Sequence, residues 1–248
     1  MTSTETVNEP ALSLARFLLE TSALEDTQET FGSESARTLR IEVDGGVWLK
    51  PGAAVAYRGD IAFERLATLD TCSLKDVVMR EAAPLVRAVG KGRLYCGQHG
   101  SHVQVVRLEG ESFVVAWPDL LAFEESLIFE LSLAAGGVGI AAGGLVIVKL
   151  SGHGAIAIAT HGKPLTLRVA PGQPVSTDPH ATLGWSGELE PVLKTDLSWR
   201  SVFGHGGHEP VQMLFDGAGF VVVQPYEDPS RFGVRIDPLK QIVALVTG

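Results

Sequence analysis

Cysteine is nearly absent from this chain. Among 248 residues only Cys72 and Cys96 carry a thiol, without CxxC spacing, which excludes a disulfide framework and a thiolate zinc site. Both read as ordinary apolar or partly buried thiols. Basic residues are scarce as well: 20 Lys+Arg stand against 29 Asp+Glu, a net charge of −9. Neutralising phosphates needs clustered Lys and Arg, and no such cluster occurs, so nucleic acid is excluded as a partner. Long apolar helices are missing too. The longest low-charge stretch, Leu131–Val148, is glycine-rich and begins beside Glu130, which suits a buried β segment better than a membrane span. The opening MTSTETVNEP has neither a basic n-region nor an apolar h-region, and it is acidic rather than Arg-rich. That argues against a secretory signal and a mitochondrial presequence and makes the cytoplasm the expected location.

What is present is repetition. Residues 90–131 moved forward by 62 positions place Gly90 and Gly92 on Gly152 and Gly154, and His99–Gly100 on His161–Gly162. Gly110 falls on Gly172, Leu121 on Leu183, Leu127 on Leu189 and Phe123 on Trp185. A third copy is present in pieces. Pro51–Gly52 and Val55 lie 120 residues before Pro171–Gly172 and Val175, and Gly217 and Gly219 lie 65 after Gly152 and Gly154. A fixed period decides the fold before any motif does, because no single repeat can bury its apolar face alone.

The repeats consist of short strand-like runs: LRIEV, AVAYR, IAFERL, HVQVVRL, SFVVAW, LIFELSL, LVIVKL, AIAIAT, LTLRVA and FVVVQ. Alternation with Gly, Pro and Asp punctuation predicts strands with one buried face. The G-x-G pairs suit bulges or tight corners, and Gly52, Gly110 and Gly172 are expected in turns. Asn8 and Pro10 can start a helix carrying Ala11, Leu14, Ala15, Leu18 and Leu19 on one face, packed on the β-core or kept for a partner. Residues 20–37 read as an acidic linker, and a helical insertion is expected at Ser73–Arg87. The expected architecture is all-β: a pseudo-threefold, repeat-built β-sandwich with a short N-terminal helix and that one helical insertion. Residues 1–37 form the helix and linker, and 38–248 a single β-rich domain of three related repeats.

The segments LSGHGAIAIATHG (150–162), APGQPVSTDPHATLGW (170–185), FDGAGFVVVQ (215–224) and LKPGAAVAYRGDIAFE (49–64) resemble the altered-inheritance-of-mitochondria protein twenty-four family. The resemblance covers most of residues 38–225. It implies a fold similar to the tryptophan RNA-binding attenuation protein, a double-stranded-β-helix-like sandwich, and carries no known activity. Mitochondrial members are linked to inner-membrane organisation. The helical N-terminus and the stretch around Asp70–Ala88 depart from a minimal family domain.

Chemistry-bearing residues are few. Of seven histidines (His99, His102, His153, His161, His180, His205 and His208), the densest pair is His205-Gly-Gly-His208, followed by Glu209. Two His and a carboxylate can hold a metal in cupin-like sandwiches, so a metal-dependent cupin-like enzyme using this loop, with Glu209 or Asp216, is the alternative reading. Cupin ligands stand on strands facing one cavity, whereas GHGGHEP reads as a loop, and His99 and His161 sit beside glycines as turn residues do. Gly137-Val-Gly139 lacks the helix that a dinucleotide fingerprint needs. There is no G-x-S-x-G elbow and no oriented Ser–His or carboxylate pair. Trp185 is expected in the core, and Trp117, before Pro118, as an exposed contact. These residues predict a non-enzymatic binding or scaffold module without catalytic residues or cofactor, acting as a homo-oligomer or through a protein partner. His205, His208, Glu209 and Trp117 are its binding candidates.

Overall fold

A computed structural model describes residues 13–24, 29–65, 83–134, 145–195 and 211–225. Among the described residues a single α-helix, α1 (Leu14–Thr21), begins behind Ser13, whose Oγ accepts from the Arg16 N–H at 3.3 Å. Everything after it among the described residues is antiparallel sheet, apart from turns.

The strand β1 (Phe31–Ser35) pairs with β2 (Thr38–Leu49), so the expected linker is corrected there: it contains the first strand. Three units follow. The first holds β2, β3 (Ala54–Arg65) and β4 (Val86–Cys96), with β4 pairing both others along its length. The second holds β5 (His102–Ala116), β6 (Leu120–Glu124), β7 (Ile128–Leu133) and β8 (Val146–Thr160). Here β8 pairs β5 throughout, β6 with its second half and β7 with its first. The third holds β9 (Leu165–Val169), β10 (Val175–Thr177), β11 (Thr182–Ser186), β12 (Val192–Thr195), β13 (Val211–Phe215) and β14 (Gly219–Val223). In it β14 pairs β9 and β11, and β13 pairs β10 and β12. The same ladder is drawn three times: as unbroken strands in unit one, partly cut in unit two, wholly cut in unit three. A β-bulge falls at the same place in each, skipping Val55, Leu121 and Leu183.

These bulges fix the register of the repeat. Val55 stands 66 residues before Leu121, so it matches Leu183 rather than Val175. The 120-residue alignment of the first copy is thereby corrected. Pro51–Gly52 and Pro171–Gly172 are both turns, with glycine φ of 80° and 75°, but they occupy different places in their units.

The G-x-G glycines have separate tasks. The first of each pair takes positive φ (128° at Gly90, 109° at Gly152, 125° at Gly217), which only glycine adopts without strain. The second makes room for a neighbour. A Cβ on Gly92 would run into the Arg58 carbonyl, and one on Gly154 would crowd the Leu127 side chain. Gly110, expected in a turn, lies instead inside β5 at φ 115°, where the ladder with β8 slips between Glu109 and Ser112. Gly90, Gly110 and Gly152 bend strands rather than end them, whereas Gly217 lies between β13 and β14. In β3, Tyr57 and Phe63 would sit ~20 Å apart on a straight strand, yet their ring centroids are 5.4 Å apart across the bend at Gly59.

Unit two is shared between its neighbours. Its β6 pairs β2 of unit one, and its β5 pairs β11 of unit three. Accordingly Leu121, Ala122 and Ala155 belong to the core of Leu39, Ile41, Val47, Leu49 and Leu94. Val114, Ala116 and Ile147 belong to that of Trp185, Met213, Phe215 and Val221. Trp185 is in the core as expected and donates its indole N–H to the Leu189 carbonyl at 3.0 Å. Of the expected helix at Ser73–Arg87, residues 73–82 lie outside the described residues, and the correction is that Val86 and Arg87 belong to β4.

Two outcomes follow for stability. Gly92→Ala should lower the unfolding free energy by about 3 kcal/mol or more, since a backbone carbonyl must yield. Gly52→Ala, which meets open space at φ 80°, should cost only about 1 kcal/mol; urea titration compares them. Burial pushes the Cys96 thiol up to about 12, whereas an unfolded thiol ionises near ~8.5. Between those values the unfolded chain binds fewer protons, so stability falls as pH rises. Cys96→Ala should flatten that slope between about pH 8.5 and 10.

Candidate interaction surface

The sequence-derived candidates do not assemble. His205, His208 and Glu209 lie outside the described residues. Trp117 stands in a 3-10 turn, Trp117–Asp119, and is only 8% exposed, which corrects its reading as an exposed contact. Its cover is Lys50, whose Nζ lies 5.8 Å from the ring centroid and donates to the Pro118 carbonyl at 2.6 Å and to Gln98 Oε1 at 3.0 Å. A cation over an indole, with its protons spent on neighbours, locks two turns together and leaves no face for a ligand.

Two of the described histidines, His99 and His161, serve the repeat. His99 takes φ 45° beside Gly100, and His161 precedes Gly162 at φ 82°. The His161 N–H donates to Gln224 Oε1 at 2.8 Å, and its Nε2 lies 3.2 Å from Ser101 Oγ, so turns of all three units are tied at one end. No group of three His, Cys, Asp or Glu that could hold a metal ion occurs among the described residues.

Among the exposed apolar side chains of the described residues, which include Ile128, Leu165 and Val192, two places stand out. The first is α1, whose Leu14, Phe17, Leu18 and Leu19 are all exposed, with no residue of the helix buried. Among the described residues it is fastened behind its end. The Leu24 N–H donates to Glu34 Oε1 at 2.6 Å, and the Leu24 carbonyl accepts from the Arg93 guanidinium at 2.7 Å. Glu34 also pairs at 3.2 Å with Arg40, which is buried in the sheet, while Glu42 pairs with Arg93. This carboxylate–guanidinium chain is the strap that holds the helical segment.

The second place is β3, which pairs only β4 among the described residues and leaves its other edge open. Val55, Tyr57 and Phe63 are exposed along it. The repeat gives the contrast. Tyr57 and Phe63 match Phe123 and Phe129, which meet edge-on at the same 5.4 Å. That second pair is covered by Trp48 of unit one, stacked on Phe123 at 6.4 Å and edge-on to Phe129 at 5.5 Å. The open β3 edge carried no signal in the sequence, because AVAYR and IAFERL read like every other run.

The family model described as "Mitochondrial biogenesis AIM24" matches residues 29–226. Among solved structures, the crystal structure of a Streptococcus pyogenes protein aligns with probability 1.00 and a TM-score of 0.59. The alignment covers 88% of this chain and 97% of that one, at 17% identity, a likeness of fold alone. Among curated proteins none matches the chain. No described helix is long and apolar enough to cross a membrane.

Glu34→Ala should loosen both the strap and the buried Arg40, lowering stability by about 2 kcal/mol. It should also speed hydrogen exchange at Leu24 in the native protein, which mass spectrometry resolves.

Proposed function

The chain belongs to the Mitochondrial biogenesis AIM24 family, and from that premise we propose that it is a non-enzymatic binding or scaffold module working through self-association or a protein partner. The observation that carries the reading is α1: four large apolar side chains on eight residues, none of them buried. So short a helix is marginal in water by itself and gains stability chiefly from a surface that covers its apolar face. Exposed apolar patches of this kind mark contact sites. The described part of the fold supports the same reading. Its polar side chains go into straps and turn locks such as Glu34–Arg40, Lys50–Pro118 and Ser101–His161.

Removing residues 1–23 tests this. Because no residue of α1 is buried, the thermal midpoint should fall by no more than about 4 °C, the shift of a ~1 kcal/mol loss, while association with itself or with a captured partner weakens. A collapse of the cooperative transition would make the helix part of the core and end its role in binding.

A further inference from the structure

The three units are joined by one kind of junction, made twice. In the first, the second half of β2 pairs antiparallel with β6, setting Val47, Trp48 and Leu49 against Glu124, Phe123 and Ala122. In the second, the second half of β5 pairs with β11, setting Phe113, Val114 and Val115 against Ser186, Trp185 and Gly184. The common bulge makes these residues equivalent: 47–49 with 113–115, and 122–124 with 184–186. By the same register the third partners are β10, at 175–177, and the first half of β3, at 56–58. That junction is not made within the described chain. β10 is one end of its three-stranded sheet and β3 one end of the larger sheet.

The side chains register the gap. Leu121 and Phe123 are 0% exposed, and Leu183 and Trp185 are 1% exposed. At the unmade junction the equivalent Val55 is 64% exposed and Tyr57 54%. Among the described residues two open edges remain, β3 in unit one and β10 in unit three, each of the type that pairs with the other inside the molecule. A long open edge with apolar side chains is a template for a further strand.

We propose that copies of this chain join head to tail, β10 of one adding antiparallel to β3 of the next with Val175 facing Arg58, Ser176 facing Tyr57 and Thr177 facing Ala56. The occupant of the β3 edge is a second copy, and the contact is heterologous, so successive copies form a closed ring or an open filament according to the rotation per copy. It deepens the self-association part of the proposed function and rests on that reading. The two internal junctions supply the model: main-chain hydrogen bonds give the pairing, and a large side chain at the position of Phe123, Trp185 and Tyr57 is buried by it.

The test uses the full chain in a Cys72→Ser background, with buried Cys96 retained. A Tyr57→Cys chain is mixed with a Ser176→Cys chain of different mass and mildly oxidised. Facing positions on paired strands are close enough for a disulfide, so the expected product is a mixed dimer. Three results overturn the proposal: Tyr57→Cys chains linking to one another, a disulfide within a single chain carrying both substitutions, or no link at all. Native mass spectrometry of Tyr57→Lys gives the second readout. Losing a buried aromatic anchor should raise the dissociation constant about 30-fold or more. Assembly untouched by Tyr57→Lys but abolished on removing residues 1–23 overturns this junction and leaves self-association standing. A wild-type chain monomeric at every concentration, whether α1 is present or removed, overturns both.

Discussion

Everything in this fold depends on backbone that turns a corner without ending a strand. Gly45, Gly59, Gly90, Gly110 and Gly152 all take positive φ inside long strands. At Gly92 a neighbouring backbone comes close enough that no Cβ fits. Hydrogen bonding continues on both sides of each bend, so one sheet carries several apolar faces. An ordinary residue at φ above 100° would strain the corner and straighten the strand. Tyr57 and Phe63, which flank Gly59, could then no longer meet.

The bends also explain why the repeat cannot stand alone. Bending a three- or four-strand ladder opens one edge of each half, and the next unit closes it. Unit two receives β2 on one side and donates β5 on the other, and the three cores are built from residues of adjacent units. Stability then resides in the junctions as much as in the units, as in other repeat-built chains. Such an architecture has ends unless it closes on itself.

Much of this is legible in the amino-acid order, and the remainder fails for physical reasons. The 62-residue offset was visible because Gly90, Gly92, Leu121 and Phe123 each answer a local demand of the backbone or the core that returns in the next unit. The first unit aligns wrongly by sequence because Pro51–Gly52 and Pro171–Gly172 share turn chemistry at different places in the ladder; turn residues report local conformation and not position in a sheet. Gly110 reads as a turn because a glycine between two alternating runs looks the same whether the chain reverses or bends. β1, reading FGSES, has no alternation and becomes a strand only because β2 offers it an edge. Trp117 looks like a surface residue beside a proline, and its burial depends on Lys50, which is far from it in sequence.

The most consequential feature, the open edge of β3, was the least legible. Val55 and Tyr57 obey the same alternation as Leu121 and Phe123, and nothing local records that one pair is covered and the other bare. Exposure here is set by whether a neighbouring unit exists, a property of the whole row. Residues placed by the repeat to be buried, yet lying in solvent, therefore carry more information than apolar exposure by itself. The repeat states what their environment is elsewhere in the same molecule: an antiparallel strand and a covered ring. Among the described residues the junctions between units are of one kind, β2 with β6 and β5 with β11, and the equivalent strands β3 and β10 lack that partner.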